Sequence, residues 1–266
     1  MPVPYSSGVG RRGVERRYRR HHEERREDGF VFCGPDRLPL FAEWVGGPGL
    51  RVLDLGCRDG ALTSAYLAGN HVVGVDADRE ALARAATLGI ETVWADLEEG
   101  LPFDNASFDV IVLGEVLEHL RFPELVLAEV ARVLVPGGMV VGSVPNGFRL
   151  KTRLRFLLGR PPENDPTLLH LLAPADVARL LAGFDEVETR CIAGRLVRLH
   201  PRLFGNDIAF RAHKPGQPAV ASRPRRAGRS RERMLGLMVI AVLYAVLLFV
   251  ALPESLGDRP YNVFGR

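Results

Sequence analysis

The sequence predicts an α/β fold: a doubly wound, mostly parallel sheet of seven strands, followed by one C-terminal helix apolar enough to cross a membrane. Three observations predict it. Strand-like runs at 52–55, 71–76, 91–95, 110–113 and 139–144 alternate with segments of helical periodicity, the pattern of a parallel sheet buried on both faces. The first run ends in a tight glycine turn, Gly56-Cys-Arg-Asp-Gly60. Finally, residues 234–252 contain no charged side chain over nineteen positions.

The chain opens on a basic arm. Residues 1–29 carry eight arginines against five acids and almost nothing to bury, so a disordered or solvated segment is expected. It has no apolar run of a secretory signal. His21-His22 lies in this polar run and reads as solvated. Pro35–Val45 then reads as an amphipathic helix ending at Gly46-Gly47, placed to line the mouth of a site.

Val52–Leu55 is the first buried strand. Gly56 and Gly60 let the backbone turn sharply and let a ligand approach without a Cβ in the way. The amides of this turn are expected to face a ligand above the strand ends, where open α/β sheets bind them. Asp54 and Asp59 flank the turn; two carboxylates there repel a pyrophosphate and suit a cation. The spacing Gly56-x-x-x-Gly60 is not the dinucleotide pattern G-x-G-x-x-G, and no Lys-Ser/Thr of a phosphate loop follows.

Ala61–Ala68 reads as a helix and His71–Asp76 as the second strand. Asp76 falls at that strand's end, 22 residues after Asp54, where a ribose hydroxyl acceptor is expected; capping the following helix, 78–86, is the alternative role. Glu91–Ala95 is the third strand and runs into Asp96-Leu97, with a plain turn as Asp96's alternative. Leu101–Asp109 connects to the fourth strand, Val110–Leu113. Glu115, Glu118 and His119 follow at its end, either projecting over the crevice as a tuned acid–base group or opening the next helix. Pro123 starts a helix through Leu134, Pro136-Gly-Gly138 closes it, and Met139–Val144 is the fifth strand. Residues 147–183 form a cap with a basic amphipathic helix at 148–160, whose Leu150, Leu154, Phe156, Leu157 and Leu158 are available for burial, and a second helix at 174–181. His170 reads as structural. Phe184–Ile192 and Asn206–Ala212 are the last two strands, the antiparallel ending.

Composition excludes several classes. Cys33, Cys57 and Cys191 are odd in number and far apart, without a CxxC pair, so neither a disulfide framework nor a zinc site is expected. Residues 30–213 carry 18 basic and 24 acidic residues. An acidic core with basic ends does not suit nucleic acid. Residues 214–233 are a linker with seven basic residues against one acid. The stretch 234–252 just spans a bilayer core as a helix, and 253–266 is a short tail. Arginines before the stretch place the preceding domain on the cytoplasmic side as a single-pass anchored protein.

Val52-Leu-Asp-Leu-Gly-Cys-Arg-Asp-Gly60 resembles the first motif of the class I S-adenosylmethionine (SAM)-dependent methyltransferases, with Arg58 standing where that family most often has a third glycine. "LPF…SFDVI", "EVLEHL" and "LVPGG" are similar to the wording of the ubiquinone-biosynthesis type, and "SVPNGFRLKTRLRFLLGR" resembles MetW-like proteins. The resemblance covers about 30–213 and implies a Rossmann-like methyltransferase domain. It implies that Asp54, Gly56, Cys57, Gly60, Asp76, Ala77, Asp96, Leu97 and Glu115 hold SAM. Asp76 would meet the ribose hydroxyls and Asp96 the adenine amino group, with Glu118 and His119 as candidate catalytic groups and no metal. The expected function is methyl transfer to a small-molecule, glycan or lipid-linked acceptor at the cytoplasmic membrane face. The alternative is a non-catalytic SAM-binding partner of a biosynthetic enzyme.

Overall fold

The structure is a computed structural model that describes residues 28–161 and 167–216, together with Gly13 and the pair Tyr261–Asn262. The linker, the apolar stretch 234–252 and most of the N-terminal arm and tail therefore lie outside the described residues. Among the described residues, no helix is long and apolar enough to cross a membrane.

In chain order the elements are β1 (Phe30–Val31), α1 (Gly34–Val45), β2 (Arg51–Leu55), β3 (His71–Asp76), α2 (Arg79–Thr87), β4 (Glu91–Trp94) and β5 (Phe108–Gly114). They continue with α3 (Pro123–Val133), β6 (Leu134–Pro145), α4 (Leu150–Leu157), α5 (Pro174–Leu180), β7 (Asp185–Ile192), α6 (Pro201–Phe204), β8 (Asp207–His213) and β9 (Tyr261–Asn262). Seven strands form the main sheet in the order β4-β3-β2-β5-β6-β8-β7. β2 pairs in parallel with both β3 and β5, while β8 runs antiparallel to β6 and β7. The strand order reverses between β2 and β5, and there the crossovers leave a crevice at the carboxyl ends.

Alternation along the strands explains why both faces are buried. Leu53, Leu55, Val73, Val75, Ile111 and Leu113 join the core under α3 and α5, while Val52, Val72, Val110 and Val112 pack with Phe41, Trp44 and Val45 of α1. The guanidinium carbons of Arg190 and Arg211 lie 5.1 and 5.2 Å from the Trp44 ring centre and anchor α1 to the far strands. Such stacking contributes roughly 0.5–2 kcal/mol each.

Three local expectations change. Ala61–Ala68 is not a helix; only Thr63–Ala65 makes a 3₁₀ turn. The Thr63 hydroxyl donates to Asp54 at 2.6 Å and that of Ser64 to the Ala61 carbonyl at 2.7 Å, local bonds that compete with helix formation. The fifth parallel strand is longer than expected and absorbs Pro136-Gly-Gly138. In α4 only Thr152 is buried, and Phe156, Leu157 and Leu158 are exposed rather than packed.

A second, two-stranded sheet was not legible from periodicity. β9 pairs antiparallel with β1, Phe30 opposite Asn262 and Val31 opposite Tyr261.

Candidate active site

The carboxyl ends of β2, β3, β4 and β5 open into one cleft of about 1010 Å³, counting the space at its mouth. Its floor is acidic: Asp54 is the next-to-last residue of β2, Asp76 ends β3, Asp96 follows β4 and Glu115 follows β5. Its outer wall is apolar, from Phe30, Val31 and Phe32 on one side to Leu62, Val116 and Leu120 on the other.

Burial sets the electrostatics. Asp54 is 2% exposed and accepts from the Thr63 hydroxyl at 2.6 Å and the Tyr66 hydroxyl at 2.7 Å. Loss of solvent pushes its carboxyl up to about 6 despite those two donors, which favour the ionised form. Asp76 accepts from the amide of Arg58 and from that of Asp78, each at 2.9 Å. The alternative role of Asp76 as helix cap falls instead to Asp78, whose carboxylate accepts from the Glu80 and Ala81 amides. Asp96 takes the turn role, capping the 3₁₀ turn Leu97–Glu99 through the Glu98 amide, and it also lines the cleft.

The glycine turn works differently from expectation. Its amides are used internally: those of Gly56 and Cys57 donate to the Val75 carbonyl, Gly60's to Cys57, and Arg58's to Asp76. The turn is therefore not an anion cradle; it presents carboxylates. Gly56 has φ 74°, and a Cβ there would sit 2.6 Å from Val116 Cγ2, so glycine lets the 115–120 loop close over the turn. Gly60 lies behind the cleft, where a Cβ would meet Ile90 at 2.6 Å. Cys57 and Ala77 border the cleft, with the Cys57 sulfur packed against Gly74.

The loop after β5 divides the two candidate catalytic groups. Glu118 is 1% exposed and does not line the cleft, whereas His119 does. His119 Nδ1 lies 3.1 Å from the Thr167 carbonyl. The Thr167 hydroxyl lies 3.2 Å from the same nitrogen, so Thr167 holds the ring by its Nδ1 edge. Glu118 Oε1 stands 3.7 Å from Nε2. The cap docks on this loop, for the amides of Leu169 and His170 donate to the Glu118 carbonyl and His170 Nε2 meets the Leu120 carbonyl at 2.8 Å. His170 is structural.

Sequence reasoning missed Arg37. It is 2% exposed, lines the cleft, and would come within 2.7 Å of a Cβ on Gly114. Its Nε lies 3.6 Å from Asp207 and its Nη1 3.9 Å from Glu115. Burial, and then the neighbouring Glu115, push the Asp207 carboxyl well above the usual range. A lone arginine in an amphipathic helix gives no signal of such burial.

The fold and this cleft define an α/β enzyme of the SAM-binding class, and comparison with known proteins agrees. Residues 53–142 match the model of a methyltransferase domain. Over 177 residues the chain is 31% identical to a ubiquinone biosynthesis O-methyltransferase of Burkholderia pseudomallei, covering 59% of this chain and 76% of that protein. It is 39% identical to that of Hahella chejuensis over 119 residues, half of that protein and 42% of this chain. Among solved structures, a SAM-dependent methyltransferase from Archaeoglobus fulgidus superposes with TM-score 0.53 at 22% identity, covering 67% of this chain and 91% of that one. The [4+2]-cyclase SpnF does so with TM-score 0.52 at 19% identity, over 68% and 81%; likeness at that level is one of fold. The chain belongs to the class I SAM-dependent methyltransferases, and SAM is the cofactor that this membership brings. The residues present fit it, because an acidic floor with internally bonded amides suits a sulfonium and an ammonium and not a phosphate.

Proposed function

We propose that the protein transfers a methyl group from SAM to a ring hydroxyl of an apolar acceptor at a membrane face. One observation carries this reading: a single cleft joins the carboxylate floor, the His119 imidazole and an apolar wall. Bound SAM supplies an electrophilic methyl on a positively charged sulfur. Asp76 and Asp96 would hold its ribose and adenine, Arg37 its carboxylate, and Asp54 and Glu115 its cationic end. His119 would take the proton from the acceptor hydroxyl, with Glu118 Oε1 3.7 Å from its Nε2. Proton removal of this kind contributes roughly 10²–10⁴-fold; the remaining work is orientation and exclusion of water.

The acceptor class is supported by the relatives' printed names, which place them in ubiquinone biosynthesis, and by the apolar wall, which favours a lipid-like ring compound over a glycan. The basic linker and the uncharged stretch 234–252 support attachment to an anionic membrane. Methyl transfer to an alkylated catechol and to a free sugar, measured with the full chain, tests the reading. Turnover of the catechol is expected; turnover of the sugar alone would overturn the acceptor class. Co-sedimentation with anionic phospholipid vesicles tests the attachment.

A further inference from the structure

We propose that Arg58 is a positioning residue that clips the segment Gly29–Phe32 down as a wall of the cofactor cleft, and that this is why the glycine turn carries an arginine. The inference rests on the cofactor reading of the cleft.

The backbone comes first. Arg58 sits at φ 51°, in the left-handed region, where any residue with a Cβ is strained and glycine is not. The turn therefore keeps a conformation that glycine would adopt at no cost, and the side chain must return something. It does not run out to solvent: the residue is 8% exposed and lines the cleft. Its Nη1 donates to the Phe30 carbonyl at 3.2 Å.

Phe30 belongs to the apolar wall facing the carboxylates, and the same segment is tied at two further points. Asp59, the next residue of the turn, accepts from the Gly29 amide at 2.7 Å. Arg37 donates to the Phe32 carbonyl at 3.1 Å. The turn thus grips the wall through two consecutive side chains, and its Arg58 amide holds Asp76 at 2.9 Å. One residue joins the ribose-binding carboxylate, through its amide, to the wall across the cleft, through its guanidinium. On its outer edge the wall is backed by β9. Val31 of this two-residue strand is buried, and the clip from below ties the carbonyl of the half-exposed Phe30 beside it.

Three full-chain variants test this by SAM titration calorimetry and by hydrogen exchange of the 30–33 amides without ligand. R58G removes the guanidinium and relieves the strain; R58A removes the guanidinium and keeps the strain; R58K keeps a cation able to reach the carbonyl by one donor. A charged hydrogen bond is worth about a tenfold change in affinity. R58G and R58A are each expected to bind SAM about tenfold more weakly and to exchange faster at 30–33, with R58K between them and wild type. R58G binding as tightly as wild type, with unchanged exchange, overturns the clip. Tighter binding by R58G also overturns it and makes Arg58 an obstruction in the cleft. Impairment of R58A alone, with R58G like wild type, means that the wall stays in place without the guanidinium once the turn is unstrained, again against the proposal. Wild type that binds no SAM removes the cofactor reading itself, an outcome that the variants' relative behaviour cannot mimic.

Discussion

Replacing Asp54 by Asn separates what the cleft floor costs in stability from what it gives in binding. The carboxyl is buried and its pKa is raised from 3.8 to about 6. A raised carboxyl contributes stability that is fully present below the unfolded value and is lost as pH rises through the folded one. Above pH 6 the loss amounts to about 3 kcal/mol, at ~1.36 kcal/mol per pKa unit. Asparagine has no proton to lose there and can still accept from Thr63 and Tyr66. Urea unfolding of the SAM-free proteins should therefore show the variant gaining on wild type by about 1 kcal/mol between pH 5 and pH 7. Binding should move the other way. A cation in the cleft returns part of the ionisation cost, so wild-type affinity for SAM should tighten over the same pH window. The variant should bind about tenfold more weakly, ~1.4 kcal/mol, with a flat pH profile. A variant whose stability and SAM affinity follow wild type at every pH would refute the reasoning, because Asp54 would then be uncharged or remote from the ligand.

Further predictions concern single contacts. His119→Gln should lower methyl transfer by roughly 10²–10⁴-fold with SAM affinity unchanged, as compared by kcat and calorimetry. Gly74→Ala places a Cβ 2.6 Å from the Cys57 sulfur beneath the turn; a stability loss of about 1–3 kcal/mol and weaker SAM binding are expected together. Gly142→Ala puts a Cβ against the Phe210 ring and 2.6 Å from the Leu113 carbonyl. It should cost a similar ~1–3 kcal/mol by urea unfolding but leave the SAM affinity of the folded fraction intact.

The central sheet was legible because its strands are buried on both faces, and so carry runs such as Val52–Leu55 and Val110–Leu113 that no surface segment has. The acids of the floor were legible for the same reason: Asp54, Asp76 and Asp96 each stand inside or directly after such a run, at a strand's carboxyl end. What stayed hidden depends on tertiary contacts. The helical propensity of Ala61–Ala68 is overridden by a hydroxyl that Asp54 draws inward. The burial of Arg37 depends on Glu115 and Asp207, which arrive from far along the chain. The strand at Phe30–Val31 carried no sequence signal because its pairing comes from Tyr261–Asn262, far along the chain. Position 58 announced a departure from the glycine pattern, but only the fold shows that the arginine turns inward.

The most direct test of the account is calorimetric titration of the full chain with SAM and with its demethylated product, in wild type and in Asp76→Ala. The Asp76 carboxylate bonds two amides at the cleft floor, and its removal should weaken both ligands by about a hundredfold, ~2.7 kcal/mol, in a protein that remains folded by circular dichroism. Equal affinity in wild type and variant, or no binding by a folded wild type, would mean that this cleft is not where the cofactor sits.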